Sequence, residues 1–292
     1  MKKIGLIGTG MLGTAVGLHL LESGFQVTVY NRTTEKTENL KNKGATIALS
    51  PKEVAENSEM VITVVKDANA VKQVSFERDG IIFGKHENLV VCDMSTISPI
   101  DSKIISKKFL DNSIVMLDIP VMGGPNVAIN GELVMMVAGN KFAFEKCKKI
   151  FDVIAKQVFF LGESGTAHAI KLAMNLQITM LALALSEGIL LSKAAKIDPK
   201  VFLEILNSTY FKTGMSENKA YKMIQDNFEA TFTLENLKKD INTIFETSRS
   251  YGLELPMTKV AKETYENAVN EGFGNLDYTG ILAFLKKLNE HN

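Results

Sequence analysis

The sequence predicts an α/β fold followed by an all-helical region. Short apolar runs alternate with helical stretches through the first half, and strand-like runs stop after Gly162. The chain has 292 residues, 46% of them apolar and 23% charged, which is the composition of a globular protein with enough length for two hydrophobic cores. These observations predict a doubly wound, mostly parallel sheet in residues 1–163 and an all-α domain in residues 164–292, joined by a long helix.

The predicted strands are apolar runs of four to six residues. The earlier runs are continuously apolar, as expected for strands that are buried on both faces of a parallel sheet. The helical stretches Leu12–Ser23 and Thr34–Lys43 fit right-handed crossover connections between such strands. The predicted strands are Lys3–Ile7, Gln26–Tyr30, Met60–Val65, Leu89–Asp93, Ile114–Asp118, Leu133–Ala138 and Val158–Leu161.

The second half begins with a helix-compatible run, Gly165–Lys196, that would be about 45 Å long if unbroken. Asp198 and Pro199 are typical N-cap and N1 residues of a further helix. The remaining predicted helical segments are Ser216–Asn227, Leu234–Tyr251, Met257–Glu271 and Leu276–Asn289. No strand-like run interrupts them, so this half is predicted to be entirely helical.

Charge, cysteines and hydropathy narrow the class of protein. The formal net charge is zero, which gives no reason to expect a nucleic-acid partner. Cys92 and Cys147 lie far apart and have no Cys or His companions, so we expect no metal site, no disulfide and a cytoplasmic location. The stretch Leu172–Leu191 has about the length of a membrane span, but polar residues interrupt it, which favours a buried helix and no membrane partner.

A glycine-rich turn joins the first predicted strand to the first predicted helix. The turn has the pattern GxGxxG and consists of Gly8, Thr9, Gly10, Met11, Leu12 and Gly13. After a strand and before a helix, the first glycine permits a tight turn, the second lets the backbone approach a pyrophosphate, and the third lets the helix pack on the sheet. The context predicts a Rossmann-type dinucleotide site; the alternative is a purely structural turn.

The residues after the second predicted strand bear on which dinucleotide binds. An NAD-preferring site usually has Asp or Glu here to hold the ribose 2′-hydroxyl, whereas this chain has Asn31, Arg32 and Thr33. Arg32 can pair with a 2′-phosphate, and Asn31 and Thr33 can donate hydrogen bonds. We therefore expect NADP(H) to be preferred; the alternative is a solvated arginine, with NAD(H) bound through polar contacts alone.

Lys171 lies near the start of the long apolar stretch and has Ile170 and Leu172 as neighbours. It either faces solvent on an amphipathic helix or titrates during a reaction. Apolar surroundings lower the pKa of a lysine, as does a nearby positive charge, and a lysine with a lowered pKa can exchange protons near neutral pH.

Four stretches together resemble the β-hydroxyacid dehydrogenase family, which includes 3-hydroxyisobutyrate dehydrogenases and glyoxylate/succinic semialdehyde reductases. They are IGLIGTGMLGTAV, DMSTISP, DIPVMGGPNVAINGEL and GTAHAIKLAMN, and a weaker fifth is LKKDI. Their order spans the whole chain. The resemblance implies a Rossmann domain joined by a long helix to a helical domain, and reversible hydride transfer between NAD(P) and the hydroxyl-bearing carbon of a small hydroxy acid.

The resemblance implies catalytic roles for Lys171, as general acid and base, and for Asn175, one helical turn further on. It gives no chemical role to His168, which we interpret as a positioning or packing residue. It also implies that Lys239 contacts cofactor or substrate, although Lys238 and Lys239 could equally form a solvated helix face. Phe232 covers the nicotinamide or belongs to the core.

Substrate anchoring is expected from loops at the carboxyl ends of strands, where open α/β sheets bind ligands. Ser95 and Thr96 offer hydroxyl groups, of which Thr96 is the stronger candidate for the nicotinamide ribose or the substrate. Gly123 and Gly124 offer backbone N–H groups to a carboxylate, or form a structural turn. Two further expected cofactor contacts are Val65, the last residue of the third predicted strand, and Lys66, which follows it.

The sequence departs from the family at Met122, where family members usually have a serine that contacts the substrate, and at Ile119 in place of alanine. A thioether cannot donate a hydrogen bond. The substrate carboxylate then relies more on backbone amides, Thr96 and Lys239, or the pocket favours a longer or more apolar substrate.

Two other functions remain possible from the sequence. Relatives of this architecture reduce imines but commonly replace the catalytic lysine, and a non-catalytic nucleotide-binding module would be expected to lose it, so Lys171 argues against both. The apolar helix of the second domain and the family resemblance predict a homodimer or homotetramer.

Overall fold

The computed structural model describes residues 1–290. By its internal contacts the chain divides into two compact units, Met1–Leu172 and a second one from Ala173 onwards. The division falls inside one continuous helix, Thr166–Ala194.

Unit 1 contains a nine-stranded sheet with the order β3-β2-β1-β4-β5-β6-β8-β7, in which β9 also pairs with β8. Strands β1 to β6 are parallel to one another wherever they pair. Strand β8 is antiparallel to β6 and β7, and β9 is parallel to β8. The strands are β1 Lys3–Ile7, β2 Gln26–Tyr30, β3 Thr46–Ile47, β4 Met60–Thr63, β5 Val90–Asp93, β6 Val115–Asp118, β7 Val121–Met122, β8 Leu133–Gly139 and β9 Ala155–Phe160. This confirms the predicted mostly parallel Rossmann sheet.

Helices cover both faces of the sheet. One apolar cluster includes Leu20, Val29 and Phe151, and a second includes Val54 and Phe109. Two covered faces explain why the parallel strands are continuously apolar in sequence. The helices of this unit are α1 Met11–Glu22, α2 Glu38–Asn42, α3 Pro51–Glu56, α4 Ala68–Phe76, α5 Pro99–Asp111, α6 Pro125–Ala128, α7 Lys141–Ile154 and the start of α8 Thr166–Ala194.

The structure differs from the prediction at a few elements. The two-residue strands β3 and β7 were not predicted, because a strand of two residues has no measurable periodicity. The predicted helix Thr34–Lys43 is a 3₁₀ turn, Thr34–Thr37, followed by α2. The run Ser216–Asn227 contains two short helices, and the last predicted helix begins with a separate 3₁₀ turn at Tyr278–Gly280.

Up to residue 290, unit 2 is helical apart from one isolated bridge between Thr233 and Asp277. Asp198 caps its first complete helix by accepting a hydrogen bond from the Lys200 backbone N–H, as the sequence predicts. Its helices are the remainder of α8, α9 Pro199–Asn207, α10 Gly214–Asn218, α11 Ala220–Ile224, α12 Leu234–Ser250, α13 Pro256–Asn270 and α14 Ile281–Asn289. A core of Leu237, Ile241 and Tyr265 lies among them.

Helix α8 is long and apolar enough to cross a membrane by length and composition, with 33% of its most apolar window buried. Two of its buried hydroxyl groups are satisfied inside the helix: the Thr179 hydroxyl donates to the Asn175 carbonyl, and the Ser186 hydroxyl donates to the Ala182 carbonyl. A core helix of a soluble protein passes the same test of length and composition, so this feature by itself does not overturn the prediction of a buried helix.

Candidate active site

The glycine turn at the end of β1 has the geometry of a dinucleotide loop. Gly8 has φ +99°, and a Cβ added there would lie 2.2 Å from the Val64 carbonyl oxygen. A Cβ at Gly13 would lie 2.0 Å from the Gly8 carbonyl oxygen, whereas nothing lies within 4 Å of a Cβ at Gly10. The open side of Gly10, at the start of α1, leaves room for a pyrophosphate beside the first-turn N–H groups.

Asn31 connects this loop to the end of β2. Its Oδ1 accepts a hydrogen bond from the Thr9 backbone N–H at 3.1 Å, and its Nδ2 donates to the Thr33 carbonyl at 2.8 Å. These contacts give Asn31 a structural task in addition to the cofactor contact expected from the sequence. Arg32 and Thr33 are exposed beside it.

The loops that follow β4 and β5 are joined by Ser95. The buried Ser95 hydroxyl accepts a hydrogen bond from the Val65 backbone N–H at 3.0 Å. Lys66 is exposed, and Thr96 is half-buried. The structure therefore gives Ser95 a contact that positions the loop after β4.

The strand β7 places Met122 next to Lys171. The Lys171 Nζ atom lies 3.3 Å from the Met122 Sδ atom, and both residues are half-buried. Met122 packs on a small apolar cluster formed by Met136, Ala138 and Ala167. Sequence reasoning treated these two residues as parts of separate motifs, and the structure brings them into contact.

The two glycines that follow Met122 differ in whether a larger residue could replace them. Gly123 has φ +118°, and a Cβ there would lie 2.9 Å from Leu133 Cδ2, so the turn itself demands glycine. Gly124 has nothing within 4 Å of its Cβ position. The open space at Gly124 is compatible with the close approach of a ligand.

His168 is fully buried between two aspartates that sequence reasoning did not select. Its Nε2 atom lies 3.9 Å from Asp93 Oδ2 and 3.8 Å from Asp118 Oδ1. Burial raises the pKa of Asp93, against the opposing effect of His168 and of hydrogen bonds from Thr63 and Ser95. Burial also raises the pKa of Asp118, to about 6. The signal available in the sequence was that each aspartate ends a buried strand.

Unit 2 brings Asn175, Asp240 and Lys239 together. The buried Asn175 donates from Nδ2 to Asp240 Oδ2 at 2.6 Å, and Lys239 Nζ lies 2.6 Å from Asp240 Oδ1. Sequence reasoning named Asp240 only as part of a motif, whereas the structure makes it the shared partner of both candidates. Phe232 is half-buried with its ring centroid 6.0 Å from that of Tyr278, so part of its surface is core packing.

A Rossmann sheet with a glycine cradle of this shape, followed by a helix that carries a half-buried lysine, defines the class of NAD(P)-dependent oxidoreductases. Within residues 1–290 no group of three or more His, Cys, Asp or Glu side chains has an arrangement that could hold a metal ion.

Comparison with known proteins identifies the family. The sequence model of the NAD binding domain of 6-phosphogluconate dehydrogenase matches residues 3–162, and that of the NAD-binding domain of NADP-dependent 3-hydroxyisobutyrate dehydrogenase matches residues 165–285. The chain belongs to the β-hydroxyacid dehydrogenase family, and membership supports NAD(P)-dependent oxidoreductase activity on hydroxy acids.

Three relatives illustrate the similarity. The chain is 30% identical to glyoxylate/succinic semialdehyde reductase 2 of Arabidopsis thaliana, over 97% of this chain and 79% of the relative. It is 32% identical to a probable 3-hydroxyisobutyrate dehydrogenase-like protein of the same plant, over 98% of this chain and 86% of the relative. The crystal structure of 3-hydroxyisobutyrate dehydrogenase from Salmonella typhimurium superposes with a TM-score of 0.88 at 25% identity, covering 97% of this chain and all of that one.

Proposed function

We propose that this protein is an NADP(H)-preferring oxidoreductase that interconverts a small β-hydroxy acid and the corresponding aldehyde acid, with Lys171 as general acid and base. The observation that carries the proposal is the position of Lys171. It is half-buried, its nitrogen lies 3.3 Å from the Met122 sulfur, and the apolar cluster around Met122 adjoins it.

Lys171 would move the proton that accompanies the redox change. During reduction its ammonium group gives a proton to the carbonyl oxygen, and during oxidation its amine takes the proton of the hydroxyl group. The dinucleotide, when bound, supplies or accepts the hydride.

The proposed preference for NADP(H) rests on the end of β2. Asn31, Arg32 and Thr33 stand there without a carboxylate, and Arg32 is exposed. A guanidinium group can bind a 2′-phosphate through two parallel hydrogen bonds. The open side of Gly10 would hold the pyrophosphate, and Val65 and Lys66 would lie along the cofactor.

The proposed substrate is a short carboxylate-bearing aldehyde or its alcohol, as the names of the relatives suggest. The backbone at Gly124 and the hydroxyl of Thr96 are the candidate carboxylate ligands in unit 1. Because Met122 offers an apolar surface where a hydroxyl is usual, we expect an aldehyde acid with an alkyl substituent or a longer chain to react faster than glyoxylate.

The test follows nicotinamide absorbance with NADPH and NADH against glyoxylate, succinic semialdehyde, methylmalonate semialdehyde and tartronate semialdehyde. Lys171→Ala should reduce kcat by at least about a thousandfold without loss of NADPH binding, since the proton-transfer group is removed. The matched control is Lys193→Ala, an exposed lysine near the end of the same helix. Full activity of Lys171→Ala would exclude the proposed role.

We also propose a homodimer or homotetramer. Unit 2 exposes several large apolar side chains, among them Tyr210 at 89% and Phe211 at 63% of their surfaces, with Ile205 and Met257 also exposed. Exposed apolar side chains of this size are typical of interaction surfaces. Light scattering coupled to size exclusion would give the oligomer number, and a monomer at micromolar concentration would contradict the proposal.

A further inference from the structure

Two buried aspartates and one histidine meet at the carboxyl edge of the sheet in unit 1. Asp93 ends β5 and Asp118 ends β6, and the two residues are direct partners in the parallel register. His168, in the first turn of α8, lies within 3.9 Å of an oxygen of each carboxylate. All three side chains have no exposed surface.

Neutral donors satisfy only one of the two carboxylate oxygens of Asp93. Asp93 Oδ1 accepts from the Thr63 hydroxyl at 2.6 Å and from the Ser95 backbone N–H at 3.3 Å. Asp93 Oδ2, the oxygen nearest to His168, accepts no hydrogen bond from any residue in the described range 1–290. A fully buried carboxylate oxygen in this situation is costly unless a positive charge lies beside it.

Asp118 connects the cluster to the start of α8. Its Oδ1 accepts from the Ser102 hydroxyl at 2.6 Å, and its Oδ2 accepts from the Gly165 backbone N–H immediately before the helix begins. A negative charge is stabilised at a helix N-terminus, so ionised Asp118 holds this end of the helix in place.

The charged groups around the imidazole determine its protonation state. Asp93 faces it from β5 and Asp118 from β6. The groups that donate to these two carboxylates from β4, α5 and the β5 loop are the neutral Thr63 and Ser102 hydroxyls and the Ser95 backbone N–H. Lys103 of α5 packs its aliphatic carbons near Gly165, and Lys171 follows three residues further along α8. Two adjacent buried carboxylates favour a cation between them.

We propose that His168 is an imidazolium shared by Asp93 and Asp118, and that this charge cluster positions the first turn of α8 and thereby the Lys171 ammonium group beside Met122. His168 and Lys171 are three residues apart and lie on one face of the helix, so a rotation or shift at His168 is transmitted to Lys171. His168 is a positioning residue. The inference rests on the proposed function only in naming Lys171 as the group that is positioned.

The charge state is measured directly in the full-length protein with ¹⁵N-labelled histidine. The chain has four histidines, and His→Gln variants of the other three assign the His168 ring by elimination. We expect both ring nitrogens of His168 to remain protonated at about pH 7.5, above the ordinary histidine pKa of about 6.5. A neutral His168 ring at that pH overturns the proposal.

The positioning role is tested by a charge-balanced rescue. His168→Gln removes the cation and leaves two buried carboxylates, so we expect kcat to fall about tenfold or more through displacement of Lys171, with KM for NADPH unchanged. The double variant Asp93→Asn with His168→Gln removes one negative charge as well and should recover much of kcat. His86→Gln, an exposed histidine of the same unit, is the control.

Two outcomes of the kinetic test count against the inference: wild-type kcat and pH profile in His168→Gln, or a double variant whose loss equals the sum of the two single losses. If His168→Gln does not fold, the nitrogen spectra of the wild-type protein still decide the charge state. Activity in Lys171→Ala would refute the proposed function and leave the spectra unaffected, so the two failures are distinguishable.

Discussion

The Lys171 ammonium nitrogen lies 3.3 Å from the sulfur of Met122, in contact with a thioether where the family usually has a serine hydroxyl. The short strand β7 brings this residue to the lysine, and a small apolar cluster supports it from behind. A substrate bound beside Lys171 would therefore contact the apolar and conformationally adaptable side chain of Met122.

Met122→Ser should change substrate preference while preserving the reaction. The new hydroxyl can donate a hydrogen bond to a substrate oxygen, so KM for glyoxylate should fall about tenfold, and the advantage of longer or alkyl-substituted aldehyde acids should shrink. Steady-state kinetics over the aldehyde panel measure both effects. Met136→Leu, a volume-conserving change in the same cluster, should leave the preference unaltered. An unchanged glyoxylate KM in Met122→Ser would show that residue 122 does not face the substrate.

Arg32→Ala should weaken NADPH binding selectively. Loss of a charge-assisted contact to the 2′-phosphate is expected to raise Kd for NADPH about 10- to 100-fold and to alter Kd for NADH by less than about threefold. Calorimetric titration of both cofactors measures the difference. The highly exposed Arg78, 97% accessible in its side chain, supplies the control Arg78→Ala. An equal loss for both cofactors would contradict a 2′-phosphate contact.

The variants Gly10→Ala and Gly13→Ala should differ in their effects: both should weaken cofactor binding, but only the second should also lower the folding stability. A Cβ at position 10 meets nothing within 4 Å, so we expect a normal Tm but at least about tenfold weaker dinucleotide binding, because the methyl group occupies the phosphate approach. A Cβ at position 13 meets the Gly8 carbonyl oxygen at 2.0 Å, so that variant should lose stability as well. Thermal unfolding and fluorescence titration report the two properties. Unimpaired binding by Gly10→Ala would exclude this cradle.

Asp240→Asn should impair catalysis through residues of unit 2. The carboxylate accepts from Asn175 and pairs with Lys239, and an amide can replace only one of these contacts well. We expect kcat/KM to fall by about tenfold or more with little change in Tm. Asp226→Asn, at an exposed ion pair with Lys286, is the matched control. Wild-type kcat/KM in Asp240→Asn would show that neither partner is functionally positioned by this carboxylate.

Asp118 should make the protein less stable as pH rises from about 4 to about 6. Burial raises its folded-state pKa from 3.8 to about 6, so the folded state retains a proton that the unfolded chain has released. The free energy of unfolding therefore falls with increasing pH across this window, by up to about 3 kcal/mol, and the contribution is absent from Asp118→Asn.

Chemical denaturation of the wild type and the variant between about pH 2 and pH 8 measures this dependence and that of the control. Asp101 of the same unit is a control, because its effect on the free energy of unfolding changes with pH in the opposite direction. Although burial opposes the shift, hydrogen bonds from Lys72 and Ser98 lower its pKa, so its stabilisation is present at neutral pH and is lost as pH falls below about 4. Identical pH slopes for wild type and Asp118→Asn would refute the buried titration.

Much of unit 1 was predictable from local pattern. The bounds of β1 and β2 agree with the predicted strands to the residue, and the glycine turn lies where GxGxxG placed it. The strands β3 and β7 were not predictable, because two residues carry no periodic signal and their pairing is decided by neighbours remote in sequence. For the same reason, the contact between Met122 of β7 and Lys171 was not predictable from the sequence.

The sequence alone determined the Rossmann sheet and the dinucleotide loop, which depend on hydrophobic periodicity and on glycine geometry, both local properties. Its resemblance to the β-hydroxyacid dehydrogenase family selected Lys171 as the candidate acid and base. Only the tertiary structure decided that Met122 contacts Lys171 across 49 residues of chain, and that Asp118 holds Gly165 across 47. Such pairs depend on the order in which strands assemble into the sheet. Strand order follows from the packing of the whole unit, which no short stretch of sequence specifies.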